Sequence, residues 1–219
     1  MIATVFALEI ESAGFRAMQS SRLRISVWTL GVAGWRSAEA LRRMIENSRP
    51  EIVVSAGFSG ALQPELKLGE IVIGENFSAP RVLRSIPSLQ HFRTGQILTV
   101  PDILADSDAK RKLGASSGAL AGDLESAHLH QVCLDAGIPM LSVRTISDTL
   151  DQDIPIPGDI LINPETGKSD PAAIFRYLLR YPAKAPQFAK LISDARASQQ
   201  SLAKALATIL PEILRLQPQ

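Results

Sequence analysis

One feature constrains this chain more than any other: short β-branched apolar runs alternate with stretches of helical periodicity. Ile2 to Leu8 is the first run, and Leu23 to Leu30 is the second, ending in Gly31-Val32-Ala33-Gly34. Ser37 to Glu46 then places Leu41, Met44 and Ile45 on one helical face, and Arg49-Pro50 stops it. Glu51 to Ala56, Leu68 to Gly74 and Gln96 to Val100 follow as further strands. Ser126 to Ala136 spaces Leu129, Val132, Cys133 and Ala136 as a helix does, with Gly137 as its left-handed stop, before the strand Ile138 to Ile146. Strands separated by helices predict an α/β protein: a three-layer α/β/α arrangement with a mainly parallel central sheet. In such sheets ligands sit at the carboxyl ends of the strands.

After Asp151 the pattern changes. Asp153-Ile154-Pro155-Ile156-Pro157-Gly158 is a rigid loop, and helices are predicted over Pro171 to Tyr181 and Pro186 to Leu210. In the second, Phe188, Leu191, Ile192, Ala195, Leu202, Leu206 and Ile209 recur every three or four residues, the stripe of a packing face. The 219 residues fit one domain, 1–219, with a helical tail at about 171–219.

Composition excludes several function classes. The net charge of +1 argues against a nucleic-acid partner or an anionic membrane surface. No apolar run approaches the roughly 20 residues that span a bilayer, so no membrane span is expected. Met1 to Phe6 reads as a strand rather than a secretory signal, and Cys133 is the sole cysteine, so no internal disulfide can form. The expected setting is cytoplasmic.

Acidic residues cluster where the expected sheet would build a site. Glu9 and Glu11 follow the first strand. Glu125 lies at a helix entrance in Gly122-Asp123-Leu124-Glu125-Ser126-Ala127, and Asp148 lies just past a strand in Val143-Arg144-Thr145-Ile146-Ser147-Asp148. Taken singly, each also reads as a solvated acid or a helix cap. Gly57-Phe58-Ser59-Gly60 follows a strand, where glycines let backbone approach a ligand or simply turn tightly. The same segment has the spacing of a serine-hydrolase elbow, but Pro64 and a strand follow where that motif needs a helix. Glu125 and His128 have the spacing of one half of a di-iron site, and the second half is missing. There is no dinucleotide or triphosphate loop.

Three of these stretches together resemble the purine nucleoside phosphorylase and nucleosidase superfamily, and most of all the methylthioadenosine/S-adenosylhomocysteine nucleosidases. Gly57 to Pro64 through Leu66 to Ile73 is similar to that family's glycine segment and following strand. Asp123 to Ala127 is similar to its M-E-S-A ribose motif, and Val143 to Asp148 to its V-R-x-I-S-D motif. The resemblance covers roughly residues 1 to 151. It implies that Asp148 protonates N7 of the leaving purine, that Glu11 activates water, and that Glu125 holds the ribose hydroxyls. It also implies that Leu124 replaces the usual methionine beneath the sugar and that Ile103 and Leu104 line the base pocket. Phe58, Ser59, Gly60 and Ser147 complete the implied substrate contacts, Phe58 standing where small residues are usual. No metal and no cofactor are implied, the ligand is a small-molecule purine nucleoside, and a homodimer is expected.

Such chemistry needs these residue types. Cleavage of an N-glycosidic bond passes through an oxocarbenium-like sugar. Adenine leaves poorly unless protonated, so an acid must face it. A carboxylate on the hydroxyls orients the sugar and offsets developing positive charge. The expected activity is hydrolysis of an adenine nucleoside, because Ala7-Leu8-Glu9-Ile10-Glu11 occupies the place of the phosphorylases' phosphate loop. The alternatives are phosphorolysis of an adenosyl compound, for example an adenosyl-hopanoid, and a nucleoside-binding protein without catalysis. The loop 154–158 departs from the family's 5′ segment, which leaves the 5′ substituent open.

Overall fold

The structure, a computed structural model, describes residues 1–18, 24–32, 34–163 and 166–216. In chain order the elements are β1 (Ile2–Phe6), α1 (Glu9–Met18), β2 (Ile25–Thr29), α2 (Gly34–Ser48), β3 (Ile52–Ala61), β4 (Ile71–Gly74), α3 (Pro80–Ser85) and β5 (Arg93–Gly95). Then come β6 (Ile97–Thr99), α4 (Ser107–Ser117), β7 (Ala121–Asp123), α5 (Ser126–Asp135), β8 (Met140–Asp148), α6 (Gly158–Leu161), α7 (Pro171–Arg180) and α8 (Ala185–Arg215). One sheet runs β2-β1-β3-β8-β4-β5, with β7 also paired to β3 and β6 to β7. The pairs β1–β2, β1–β3, β3–β8, β4–β5 and β6–β7 are parallel, and β3–β7 and β4–β8 are antiparallel. The expected α/β class with a mainly parallel sheet is what forms.

Strand alternation sorts the core into two layers. On β1, Ile2 and Phe6 join Phe15 of α1 and Leu202, Leu206 and Ile209 of α8. Ala3 and Val5 join Leu41 and Met44 of α2 and Leu129 and Val132 of α5 on the opposite face. Successive side chains of a strand point to opposite faces, so one short apolar run serves both layers.

The tail is held by its own stripe. Pro211 lies inside α8, where an interior proline costs about 3 kcal/mol. Ile209, Leu210 and Ile213 beside it are buried, each contributing about 1.5–3 kcal/mol, so packing outweighs the lost backbone bond. No helix among the described residues is long and apolar enough to cross a membrane.

The sequence expectations differ from the structure in places that matter. Gly57 to Gly60 is not a turn after a strand that ends at Ala56. β3 continues through it, paired with β8 in one register as far as Ser59 and shifted by one residue at Gly60. Ser59 is therefore a strand residue, which removes the hydrolase-elbow reading. The strand expected from Leu68 starts only at Ile71, because Gly69 sits at φ +76°. The second strand begins at Ile25, and Leu23 lies outside the described residues. Helix α4 has no counterpart among the expected elements.

Candidate functional site

At the carboxyl ends of β1, β3 and β8 the chain encloses a cavity of about 270 Å³, near the lower end of the size range of small-molecule sites. Glu11, Glu125 and Asp148 all line it, from α1, the β7–α5 junction and β8. So do Phe58, Ser59 and Gly60 of β3, Ile103 and Leu104 of the β6–α4 connection, Leu124 and Ser147. All ten residues singled out in the sequence thus face one space. Glu9, two residues from Glu11, is exposed at the start of α1 and lies outside it.

Glu11 is the third residue of α1, and its carboxylate reaches back over the helix end. Oε2 accepts from the backbone N–H groups of Ala7 (2.9 Å) and Leu8 (2.8 Å), while Oε1 accepts from Phe58 N–H at 2.8 Å. This is the carboxylate half of a capping box, with a third donor supplied by β3. Burial pushes the Glu11 carboxyl above its ordinary range, and it wins over the opposing pull of those three donors and of the Arg144 charge. Gly57 makes the approach possible: a Cβ there would lie 2.9 Å from Glu11 Oε1.

Asp148 closes β8, and a register irregularity aims it. Ser59 pairs with Ile146 and Gly60 with Asp148, so Ser147 is the extra residue of a bulge. Bulges re-aim side chains beside sites. The Ser147 hydroxyl donates to Asp148 Oδ1 at 2.8 Å. Lys110 Nζ donates to Asp148 Oδ2 at 2.5 Å, and to the carbonyls of Thr149 (3.2 Å) and Gln152 (2.8 Å). A Cβ on Gly60 would stand 2.9 Å from the same Oδ2.

Lys110 reaches Asp148 because α4 is tightly placed. Asp106 caps it by accepting from Ala109 N–H at 2.8 Å, and Gly118 ends it at φ +67°. Gly114 lies so close to the carbonyl of Leu62 that a Cβ would collide with that oxygen. Any other residue there would push the helix, and Lys110 with it, off the strand.

Glu125 is set by a buried network beneath it. Arg144 Nε donates to Asp123 Oδ2 at 2.7 Å, and its other nitrogens donate to the Ser55 carbonyl, the Ser55 hydroxyl and the Ser126 hydroxyl. Asp123 Oδ1 accepts from the Thr99 hydroxyl and from Ser126 N–H. The pair is nearly solvent-free, which is tolerable because these hydrogen bonds satisfy both charges. Glu125 sits between Asp123 and Ser126, so the network fixes its backbone at the first turn of α5, where Leu129 N–H bonds the Glu125 carbonyl.

The rest of the wall comes from the tail. Ile154, Leu161, Ile162, Ile174, Phe188 and Leu191 bring an apolar surface into the same cavity. Among the described residues, no group of histidine, cysteine and carboxylate side chains is arranged to hold a metal ion. His128 is exposed, and the His130 ring packs tilted against Phe77, with centroids 5.6 Å apart. Burial pushes the Cys133 thiol up to about 12, which removes it as a nucleophile.

Sequence reasoning missed Lys110, Asp123 and Arg144. Asp123 and Arg144 were visible inside the two acidic motifs, where an acid and a base flanking the chosen carboxylates could have suggested a supporting ion pair. Lys110 gave no signal. It stands in a Lys110-Arg111-Lys112 run that reads as a solvated face, and its two neighbours are indeed exposed.

Comparison with known proteins agrees with this architecture. Residues 78–180 match the sequence model of the phosphorylase superfamily. A 5′-methylthioadenosine/S-adenosylhomocysteine nucleosidase of Tolumonas auensis is 23% identical over 138 residues, which are 48% of this chain and 60% of that protein. The aligned stretch thus spans less than two thirds of that relative. The nucleosidase of the same name from Neisseria meningitidis, solved with methylthio-immucillin-A, superposes with a TM-score of 0.70 at 17% identity, covering 99% of both chains. Futalosine hydrolase of Helicobacter pylori superposes with a TM-score of 0.67 at 17% identity, covering 96% of this chain and 97% of that one. At such identity the superpositions speak for the fold alone, and the segment 78–180, a little under half of the chain, is what is similar in sequence to the phosphorylase superfamily.

Proposed function

We propose that the protein is a nucleosidase that hydrolyses the N-glycosidic bond of a purine nucleoside, releasing adenine. The observation that carries this is the meeting of three carboxylates from separate elements, Glu11, Glu125 and Asp148, in one cavity with a largely apolar lining. Asp148 serves as the acid at N7 of the departing base. Glu125 takes the ribose hydroxyls, and Leu124 packs beneath the sugar. Glu11 takes the proton from the attacking water. Its raised affinity for a proton suits a base, and its charge disfavours a phosphate dianion in the same space. Ile103 and Leu104 give the base an apolar slot. The apolar tail surface favours an uncharged, apolar group on the 5′ carbon.

The test is a panel assay for free base with and without phosphate, using methylthioadenosine, S-adenosylhomocysteine, adenosine and inosine. Adenine release at equal rates with and without phosphate, accompanied by free sugar, is the expected result. Strict dependence on phosphate with a sugar 1-phosphate product makes the enzyme a phosphorylase. Tight binding of every compound without release makes it a binding protein.

The sugar contact has its own check. In a crystal structure with a non-hydrolysable adenosine analogue, a Glu125 carboxylate oxygen is expected within about 3.2 Å of the 2′ or 3′ oxygen. A ribose bound away from Glu125 removes that role.

A further inference from the structure

Lysine is almost never fully buried unless it is paired. Lys110 exposes no surface at all, although its helix neighbours Arg111 and Lys112 are exposed. An ammonium has three donors, and all three are used here: on Asp148 Oδ2 and on the carbonyls of Thr149 and Gln152. The two carbonyls hold the nitrogen in place but cannot take a proton from it. Asp148 can, and it also opens onto the cavity.

Asp148 thus has a proton donor against Oδ2 on one side and the cavity on the other. We propose that Lys110 stores the proton that departs with the purine, and that Asp148 relays it. This rests on the nucleosidase reading above. As the C1′–N9 bond breaks, its electron pair stays on the purine and N7 becomes strongly basic. One proton moves from Lys110 Nζ to Asp148 Oδ2, and the resulting carboxyl gives it to N7. The base leaves neutral, Lys110 remains as a neutral amine, and water attacks C1′ while Glu11 takes its proton. Once the base has gone, solvent entering the cavity returns the proton to Lys110 through Asp148 and takes the extra one from Glu11.

The ammonium releases its proton only when N7 is basic enough to take it, which is in the transition state and not in the bound substrate. The interaction is therefore stronger where it accelerates the reaction. Lys110 acts through Asp148 and is a positioning residue as well as a proton store.

The experiment compares 5′-methylthioadenosine with its N7-methyl derivative, whose base already carries the positive charge and leaves without a proton. In Lys110→Met, kcat on methylthioadenosine is expected to fall by at least about 10²-fold with KM changed by less than about threefold, while turnover of the N7-methyl compound falls by less than about fivefold. Lys110→Arg is expected to behave alike, because a guanidinium keeps the charge but does not release its proton. It also keeps the buried ion pair, so it carries the test if Lys110→Met does not fold, with thermal melting as the control. Asp148→Asn, run beside them, should show the same selectivity. Equal losses on both substrates overturn the proposal and make Lys110 purely structural. Wild-type rates in Lys110→Arg overturn it too. If Asp148→Asn itself spares methylthioadenosine, the acid assignment beneath the proposal is what fails.

Discussion

Asp148→Asn is expected to lower kcat for adenine release by about 10²- to 10⁴-fold, or about 3–5 kcal/mol of transition-state stabilisation. The amide keeps the shape and the acceptor for Ser147 but cannot deliver a proton. The substitution also costs the fold. An asparagine in place of Asp148 would leave the Lys110 ammonium in a site with no solvent contact and no counter-charge. Removing one partner of a buried pair costs on the order of 3–5 kcal/mol. The variant should therefore melt well below the wild type, and kcat must be measured at a temperature where it is folded. The double variant Lys110→Met/Asp148→Asn should recover part of the stability and none of the rate. Near-normal kcat in folded Asp148→Asn would remove the acid assignment.

Glu11→Gln is expected to cut turnover by a comparable 10²- to 10⁴-fold, roughly, while nucleoside binding survives. A glutamine offers one acceptor where the carboxylate meets three backbone donors, at Ala7, Leu8 and Phe58, and its NH2 group must face one of them. Binding measured by calorimetry separates lost chemistry from a lost helix start. The pH profile gives an independent reading. The base works as the carboxylate, and burial raises its proton affinity, so the rate should fall on acidification at a pH above the usual carboxylate value of about 4.3. That acidic limb should vanish in Glu11→Gln. For stability the sign is reversed. A raised folded value gives stabilisation that is full below the unfolded value and is lost as pH rises through the folded one. The enzyme is thus expected to be most active where Glu11 costs the fold most. Unchanged kcat in Glu11→Gln would leave Glu11 as a helix cap alone.

How much of this could be read from the chain depends on the kind of force involved. The layered fold was legible because Ile2 to Phe6, Ile52 to Ala56 and Met140 to Ile146 are dense apolar runs, and hydrophobic periodicity is a local signal. The acids were legible because they follow strand ends, and the strand-end rule converts one-dimensional order into a shared edge. Gly57 to Gly60 was misjudged because glycine signals a turn by itself. Only the partners across the sheet, Arg144 to Asp148, show that the strand continues and that the missing side chains make room for Glu11 and Asp148. Lys110 was hidden for the same reason. Its role depends on the contact between Gly114 and Leu62, far apart in sequence, which no local pattern around the basic run records.

The two glycine seats on β3 act as a ruler. Glu11 leans on position 57 and Asp148 on position 60, so the separation of the two carboxylates is graduated along one central strand, locked between β1 and β8. The surface supplied by the 154–162 segment, α7 and α8 is attached to no mark on that ruler. Substitutions there can enlarge, shrink or reshape what the cavity admits while the spacing of the two carboxylates stays fixed. A cavity with this division of labour can be retuned to a new ligand from its tail, without moving the proposed base and acid.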